Sequence, residues 1–184
     1  NDKPIVWFDD GEHVSTRCLL IATGANYRRL DVPRREQFEG LGVYYAAAPT
    51  ELQLCRGSEV VVVGGGNSAG QAVMFLSEQT LRVFLLLRSG DLRNNMSSYL
   101  VDRIEGADNI EVLPDAEICR MLGDQWLEAV EIKNLRTGET RTVQTPAVFT
   151  FIGAIPCTNW LPAEIETDSK GFVKTGRLVS TSPY

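Results

Sequence analysis

The sequence predicts an α/β fold in which a parallel sheet alternates with helices, and three observations predict it. Val60 to Val63 is apolar without alternation, the pattern of a strand buried on both faces rather than one. That run enters three glycines, and residues 68–78 then carry apolar side chains at Ala69, Ala72, Val73 and Leu76, the spacing of one helical face. Two more apolar runs, Leu81 to Leu87 and Ile110 to Leu113, bracket a helical pattern at Tyr99 to Ile104. The central part therefore reads β-α-β-α-β, one half of a doubly wound sheet.

The other elements follow in order. Ile5 to Phe8 and Thr16 to Ala22 read as short strands joined by the Asp10-Gly11 turn, ending at Thr23-Gly24. A polar stretch with Pro33, Arg34 and Arg35 reads as a connector, and Gly42 to Pro49 precedes the valine strand. Beyond Leu113, the segments Glu117 to Leu122, Leu127 to Leu135 and Glu139 to Val143 form a meander, with Thr137-Gly138 as its last hairpin turn. Val148 to Ile152 reads as a further buried strand. The tail from Gly153 to Tyr184 holds Pro156, Pro162 and Pro183 and no long periodic segment.

Composition narrows the function. The 184 residues are 43% hydrophobic and 23% charged, with a formal net charge of -6. That balance, without a basic tract, argues against nucleic acid or an anionic membrane as partner. No apolar run approaches the roughly 20 residues that span a bilayer, so neither a membrane helix nor a signal peptide is expected. Cys18, Cys55, Cys119 and Cys157 include no CxxC pair and read as free thiols of a cytoplasmic protein. With His13 the sole histidine, a zinc site or a Cys/His catalytic pair lacks ligands. No catalytic side chain is assigned.

The chemistry lies in Gly64-Gly65-Gly66-Asn67-Ser68-Ala69, which matches GxGxxG/A between a buried strand and an amphipathic helix, the context that gives the pattern meaning. Gly64 permits the tight turn, Gly66 lets the backbone approach a pyrophosphate, and Ala69 keeps helix and sheet close. Asn67 and Ser68 open the helix, whose unpaired N–H groups and dipole favour an anion. This predicts a Rossmann-like, three-layer nicotinamide-dinucleotide domain with a β-meander. The second strand ends Leu86-Leu87-Arg88-Ser89-Gly90, with a cation and a hydroxyl where an NAD site carries an acid for the ribose 2′-OH. NADPH is thus favoured over NADH, with Arg88 and Ser89 on the 2′-phosphate and Arg93 completing the clamp.

Over essentially its whole length the chain resembles the low-molecular-weight thioredoxin reductase family of flavoproteins. The match is carried by Leu20-Ile21-Ala22-Thr23-Gly24-Ala25, by Gly64 to Ala69, and by Phe149-Thr150-Phe151-Ile152-Gly153. The resemblance implies three parts: 1–38, a partial FAD-domain segment and connector; 39–150, the NADPH-binding domain; 151–184, a return toward the FAD domain. It adds Ile152 and Gly153 to the cofactor-binding set and makes Thr23 and Gly24 a remnant of the FAD side. FAD itself is expected only in a full-length protein, and the chain alone is expected to be an inactive central fragment.

One departure bears on activity. Where the family places its redox-active CxxC, this sequence has Ala46-Ala47-Ala48-Pro49, and a dithiol relay needs two sulfurs within reach of each other. Cys55 reads as a packed residue. The expected function is hydride transfer from NADPH to FAD and on to an acceptor, either an electron-accepting protein or a small disulfide. The full-length protein is allowed to be a homodimer. Two other readings stand beside this one: a thioredoxin-disulfide reductase with its cysteines elsewhere, and a non-catalytic NADPH-sensing module.

Overall fold

The computed structural model describes residues 3–88 and 90–179. Ser89 lies outside the described residues. The chain divides into two compact units, one of Tyr27–Gly153 and one of Asn1–Asn26 with Ala154–Tyr184.

In the smaller unit, β1 (Ile5–Trp7) and β2 (His13–Ser15) form an antiparallel hairpin with Val6 opposite Val14. Gly11, at φ +86°, closes the turn by donating its N–H to the Phe8 carbonyl at 3.0 Å. The turn is the expected one, but the second strand is not Thr16 to Ala22. It ends at Ser15, and Leu19, Leu20 and Ile21 are exposed. An apolar run becomes a strand only where a neighbour accepts its backbone hydrogen bonds; Thr16 still donates its N–H to the Pro4 carbonyl at 2.9 Å, but no described strand pairs with 17–22. The short β3 follows at Ala25–Tyr27.

The larger unit begins with α1 (Arg35–Phe38), β4 (Val43–Tyr44) and α2 (Pro49–Leu54). The sequence reading did not anticipate α2. Its signals are local: Pro49 sits at the first helical turn, where its missing N–H costs nothing, and the Glu51 carboxylate accepts the Ala48 N–H at 3.2 Å. Six residues are too few to display a helical period. Then come β5 (Glu59–Val63), α3 (Asn67–Ser77), β6 (Arg82–Leu86), a 3-10 turn at Leu92–Asn94, α4 (Ser98–Glu105) and β7 (Ile110–Leu113). The meander is β8 (Ala116–Leu122), β9 (Ala129–Asn134) and β10 (Thr140–Gln144). Next is β11 (Val148–Thr150), and the tail supplies β12 (Ala154–Pro156), which pairs with β3.

The five parallel strands run in the order β4-β11-β5-β6-β7, and β10-β9-β8 form a separate antiparallel sheet. Successive side chains of a strand point to opposite faces, and here both faces are covered. Val60 and Val62 of β5 pack with Val73, Leu76, Leu100 and Ile104 of the two helices. Val61 and Val63 pack with Ile118, Met121, Val130 and Ile132 of the meander. Helices, parallel sheet and meander are therefore three layers with two cores. The valine run is unbroken because β5 has no wet face, and burial of such side chains stabilises by roughly 1.5–3 kcal/mol each. This is the expected Rossmann-type α/β architecture.

The two units differ in how they are filled. Every buried hydrophobic residue among those described lies between Val32 and Phe149, in the larger unit. In the smaller one Trp7, Phe8, Leu20 and Trp160 are exposed. It is held by polar contacts such as Thr23 Oγ1 donating to the Cys157 carbonyl at 2.9 Å and Cys157 N–H donating to the Gly24 carbonyl at 3.3 Å.

Candidate functional site

The sheet order decides where a ligand can sit. From β5 the chain passes through α3 to β6 on one side, while β11 lies on the other side of β5 and arrives last. Strand order reverses at β5, and in such sheets the crevice at the carboxyl ends of the diverging strands is the binding position. Gly64 to Gly66 leave β5 there, and Phe151 and Ile152 leave β11. A cavity of about 750 Å3 occupies this place within the larger unit, lined by Gly64, Gly65, Gly66, Arg88 and Ile152 among others. Ligand sites are typically about 300–1,000 Å3.

The glycines do different work. Gly64 has φ +148°, and a Cβ on it would lie 2.5 Å from the Phe151 carbonyl oxygen and 3.2 Å from Ala69 Cβ. Its lack of a side chain thus lets β11 and α3 close on β5. Gly66, by contrast, has an ordinary extended backbone at φ -102°, ψ -179°, and nothing lies nearer to its virtual Cβ than the Asn95 carbonyl at 3.9 Å. The space a side chain would fill there is open cavity, as a close pyrophosphate requires. Gly66 also precedes α3 without any side-chain cap. The first N–H groups of a helix have no intrahelical partner, so those of Asn67, Ser68 and Ala69 are offered to an anion.

The helix-opening side chains are not all available. Asn67 Oδ1 accepts from Ser97 N–H at 2.8 Å and Ser97 Oγ at 3.0 Å, which ties the start of α3 to the segment leading into α4. Ser68 is exposed and Ala69 fully buried. Ala69 acts in packing and contributes only its backbone to the site.

Arg88 follows β6, lines the cavity, and makes no side-chain hydrogen bond or ion pair among the described residues. Arg93 is placed differently. It lies in the 3-10 turn, away from the cavity lining, with its guanidinium 2.7 Å from Glu105 and 3.6 Å from Asp91. Those partners raise its pKa, Glu105 most. Asp91 accepts the Arg93 N–H at 2.9 Å, so this acid caps a turn. Gly153, at φ +102°, stands just beyond the cavity lining, and its carbonyl accepts the Arg28 N–H at 3.0 Å. Thr23 and Gly24 belong to the smaller unit.

Among the lining residues that escaped sequence reading are four charged ones, Arg28, Arg29, Asp31 and Glu117. The two arginines lie in what read as a polar connector, and the sole hint was a charged pair shortly after Thr23-Gly24. Arg29 is 3.6 Å from Glu39.

Cysteine chemistry is absent from this place. Cys55 at the end of α2 is fully buried, its Sγ donating to the Glu51 and Leu52 carbonyls at 3.3 and 3.6 Å, and burial pushes its thiol up to about 11. At neutral pH it is neither a thiolate nor accessible. All four cysteines are free.

Set beside known proteins, residues 2–183 match the family described as pyridine nucleotide-disulphide oxidoreductase. The chain belongs to that family. Among curated pyridine nucleotide-disulphide oxidoreductases, it is 34% identical over 164 residues to the thioredoxin reductase of Treponema pallidum, covering 89% of this chain and 52% of that one. It is 30% identical over 171 residues to that of Debaryomyces hansenii, covering 92% and 53%. A thioredoxin reductase structure from Giardia duodenalis superposes with a TM-score of 0.75 at 32% identity, over 89% of this chain and 53% of that one. The chain spans about half the length of the curated relatives it matches. As a pyridine nucleotide-disulphide oxidoreductase of thioredoxin-reductase type it lacks the close cysteine pair: Ala46-Ala47-Ala48-Pro49 holds no sulfur. No helix among the described residues is long and apolar enough to cross a membrane.

Proposed function

We propose that residues 39–150 are the NADPH-binding domain of a cytoplasmic flavoprotein oxidoreductase, and that 1–38 and 151–184 are pieces of its FAD domain. The observation that carries this reading is the cavity at the β5/β11 switch point. There an open glycine backbone, an uncapped helix start and an Arg88 without a partner among the described residues converge. The donor set fits a dinucleotide: N–H groups of α3 for the pyrophosphate, and Arg88 at the strand end for the 2′-phosphate. We assign Gly64 to Ala69, Arg88, Ser89, Ile152 and Gly153 to the cofactor. Arg93 joins them if it exchanges its surface ion pairs for the phosphate, since exposed pairs are worth only about 0–1 kcal/mol.

When bound, NADPH supplies a hydride and FAD receives it before an acceptor does. This chain's residues bind and orient the nucleotide, and none has to act as acid, base or nucleophile. Thr23 and Gly24 lie on the FAD side. The smaller unit buries no hydrophobic residue among those described, which supports reading it as part of a larger domain. The chain by itself is accordingly a nucleotide-binding piece without turnover.

The acceptor follows from Ala46 to Pro49. Without two sulfurs there is no dithiol relay, and the protonated, buried Cys55 does not replace one. An electron-accepting protein or a small disulfide, reached directly from the flavin, is the reading we favour over thioredoxin reduction.

Calorimetric titration of this chain with NADPH and NADH tests the proposal. Binding that favours NADPH is expected, and equal affinity overturns the assignment of Arg88. For a full-length protein, bleaching of the flavin by NADPH without oxygen is expected. Failure to bleach leaves a nucleotide sensor, and thioredoxin-coupled reduction of insulin overturns the choice of acceptor.

A further inference from the structure

We propose that Arg28 is a second anion-binding residue of the site, holding the nicotinamide-side phosphate of the dinucleotide, a group that NADH and NADPH share. The inference rests on the nucleotide reading and adds a residue that the glycine motif does not contain.

Position carries the argument. Arg28 is joined to the end of β11, its N–H donating to the Gly153 carbonyl at 3.0 Å. Its side chain lies over the bare Gly153 backbone: a Cβ there would be 3.7 Å from Arg28 Cδ and 3.9 Å from Nε. Arg28 lines the same cavity as Gly64 to Gly66 and Arg88, and its guanidinium has no hydrogen-bond or ion-pair partner among the described residues. Its neighbour Arg29 lies 3.6 Å from Glu39, so the two arginines are not equivalent.

The sheet order sets apart the two cations that have no partner among the described residues. Arg28 is bonded to the segment that leaves β11, on one side of β5, and Arg88 follows β6, on the other, and those two strands lie two spacings, or roughly 10 Å, apart. A dinucleotide laid across the strand ends reaches both sides. The glycine turn between them takes the adenosine-side phosphate of the pyrophosphate, the 2′-phosphate lies toward Arg88, and the nicotinamide half runs toward β11. The phosphate of that half is the anion facing Arg28. Asp31 and Glu117 also line the cavity, so against two acids the three arginines leave a small positive excess.

The test is titration of this chain and its Arg28→Ala, Arg28→Lys and Arg88→Ala variants with three probes. These are NADPH, NADH and adenosine 2′,5′-bisphosphate, which carries the 2′-phosphate but no nicotinamide-side phosphate. Arg28→Ala is expected to weaken NADPH and NADH alike by about tenfold, the worth of one exposed charged hydrogen bond, and to leave the bisphosphate unchanged. Arg28→Lys should recover part of the loss. Arg88→Ala should weaken NADPH and the bisphosphate while sparing NADH. Unchanged dinucleotide binding in Arg28→Ala overturns the proposal, as does a loss confined to NADPH and the bisphosphate, which would put Arg28 on the 2′-phosphate. If the unaltered chain binds none of the three, the nucleotide reading fails first and this inference with it.

Discussion

Two glycines two residues apart should fail in opposite ways when each gains one methyl group. In Gly64→Ala the new Cβ meets the Phe151 carbonyl oxygen at 2.5 Å and carbon at 3.0 Å, with the backbone at φ +148°. Holding an L-residue in such a conformation costs about 1–3 kcal/mol, and overpacking adds about 1–3 kcal/mol because the neighbour is backbone and cannot rotate away. A total of about 2–6 kcal/mol, at about 3 °C per kcal/mol for a domain of this size, lowers the melting temperature by roughly 6–18 °C. In Gly66→Ala the backbone is extended and the nearest atom is 3.9 Å away. Removing glycine's freedom from the unfolded chain should then hold or raise stability by about 0.4–1 kcal/mol. The methyl group enters the space reserved for the pyrophosphate, so NADPH affinity should drop at least about tenfold, corresponding to 1.4 kcal/mol of lost contact. Circular dichroism melts and calorimetric titrations read both quantities. A Gly66→Ala protein that melts as low as Gly64→Ala, or binds NADPH as the parent does, would refute the division of labour.

Other outcomes follow from the same geometry. Arg88→Ala should cut the preference for NADPH over NADH by about tenfold in competitive titration and leave NADH affinity nearly unchanged, because it removes one charged contact to a group NADH lacks. Asn67→Ala should lower stability by about 1–2 kcal/mol without changing the NADPH preference, since the amide oxygen serves Ser97; a melt compared with the parent checks it. Cys55, with its thiol pushed up to about 11 against an unperturbed 9.0, makes the folded state hold a proton that the unfolded chain releases. Its contribution is intact below pH 9 and is lost as pH rises toward 11, by roughly 2–3 kcal/mol at 1.36 kcal/mol per unit. Urea midpoints across that range should decline more steeply for the parent than for Cys55→Ala. Thiol titration at pH 8 should label exposed Cys18 quickly and buried Cys55 only on unfolding.

The elements that sequence reading located were those whose own residues carry the period. Val60 to Val63, the helical face at Ala69, Ala72, Val73 and Leu76, and the meander all lie where the spacing placed them, within a residue or two. The elements it misplaced or missed depend on something outside their own segment. Thr16 to Ala22 has strand composition but, past Thr16, no described strand beside it, and Leu20 stays exposed. The helix α2 is too short for a period and is declared only by Pro49 and Glu51.

By itself, the sequence determined the Rossmann-type class, the glycine turn, the cation at the end of the second strand and the missing cysteine pair. All of these are local, because a turn needs its glycine and a relay its two sulfurs wherever the chain goes. The tertiary structure alone decided which neighbours share a cavity. It brought β11 beside β5, and with it Arg28, 36 residues before Gly64 in the chain. It sent Arg93 to Glu105 and Asn67 to Ser97. The physical reason is that a charge or an amide is claimed by whichever partner packing places nearest, and packing is a property of the whole sheet.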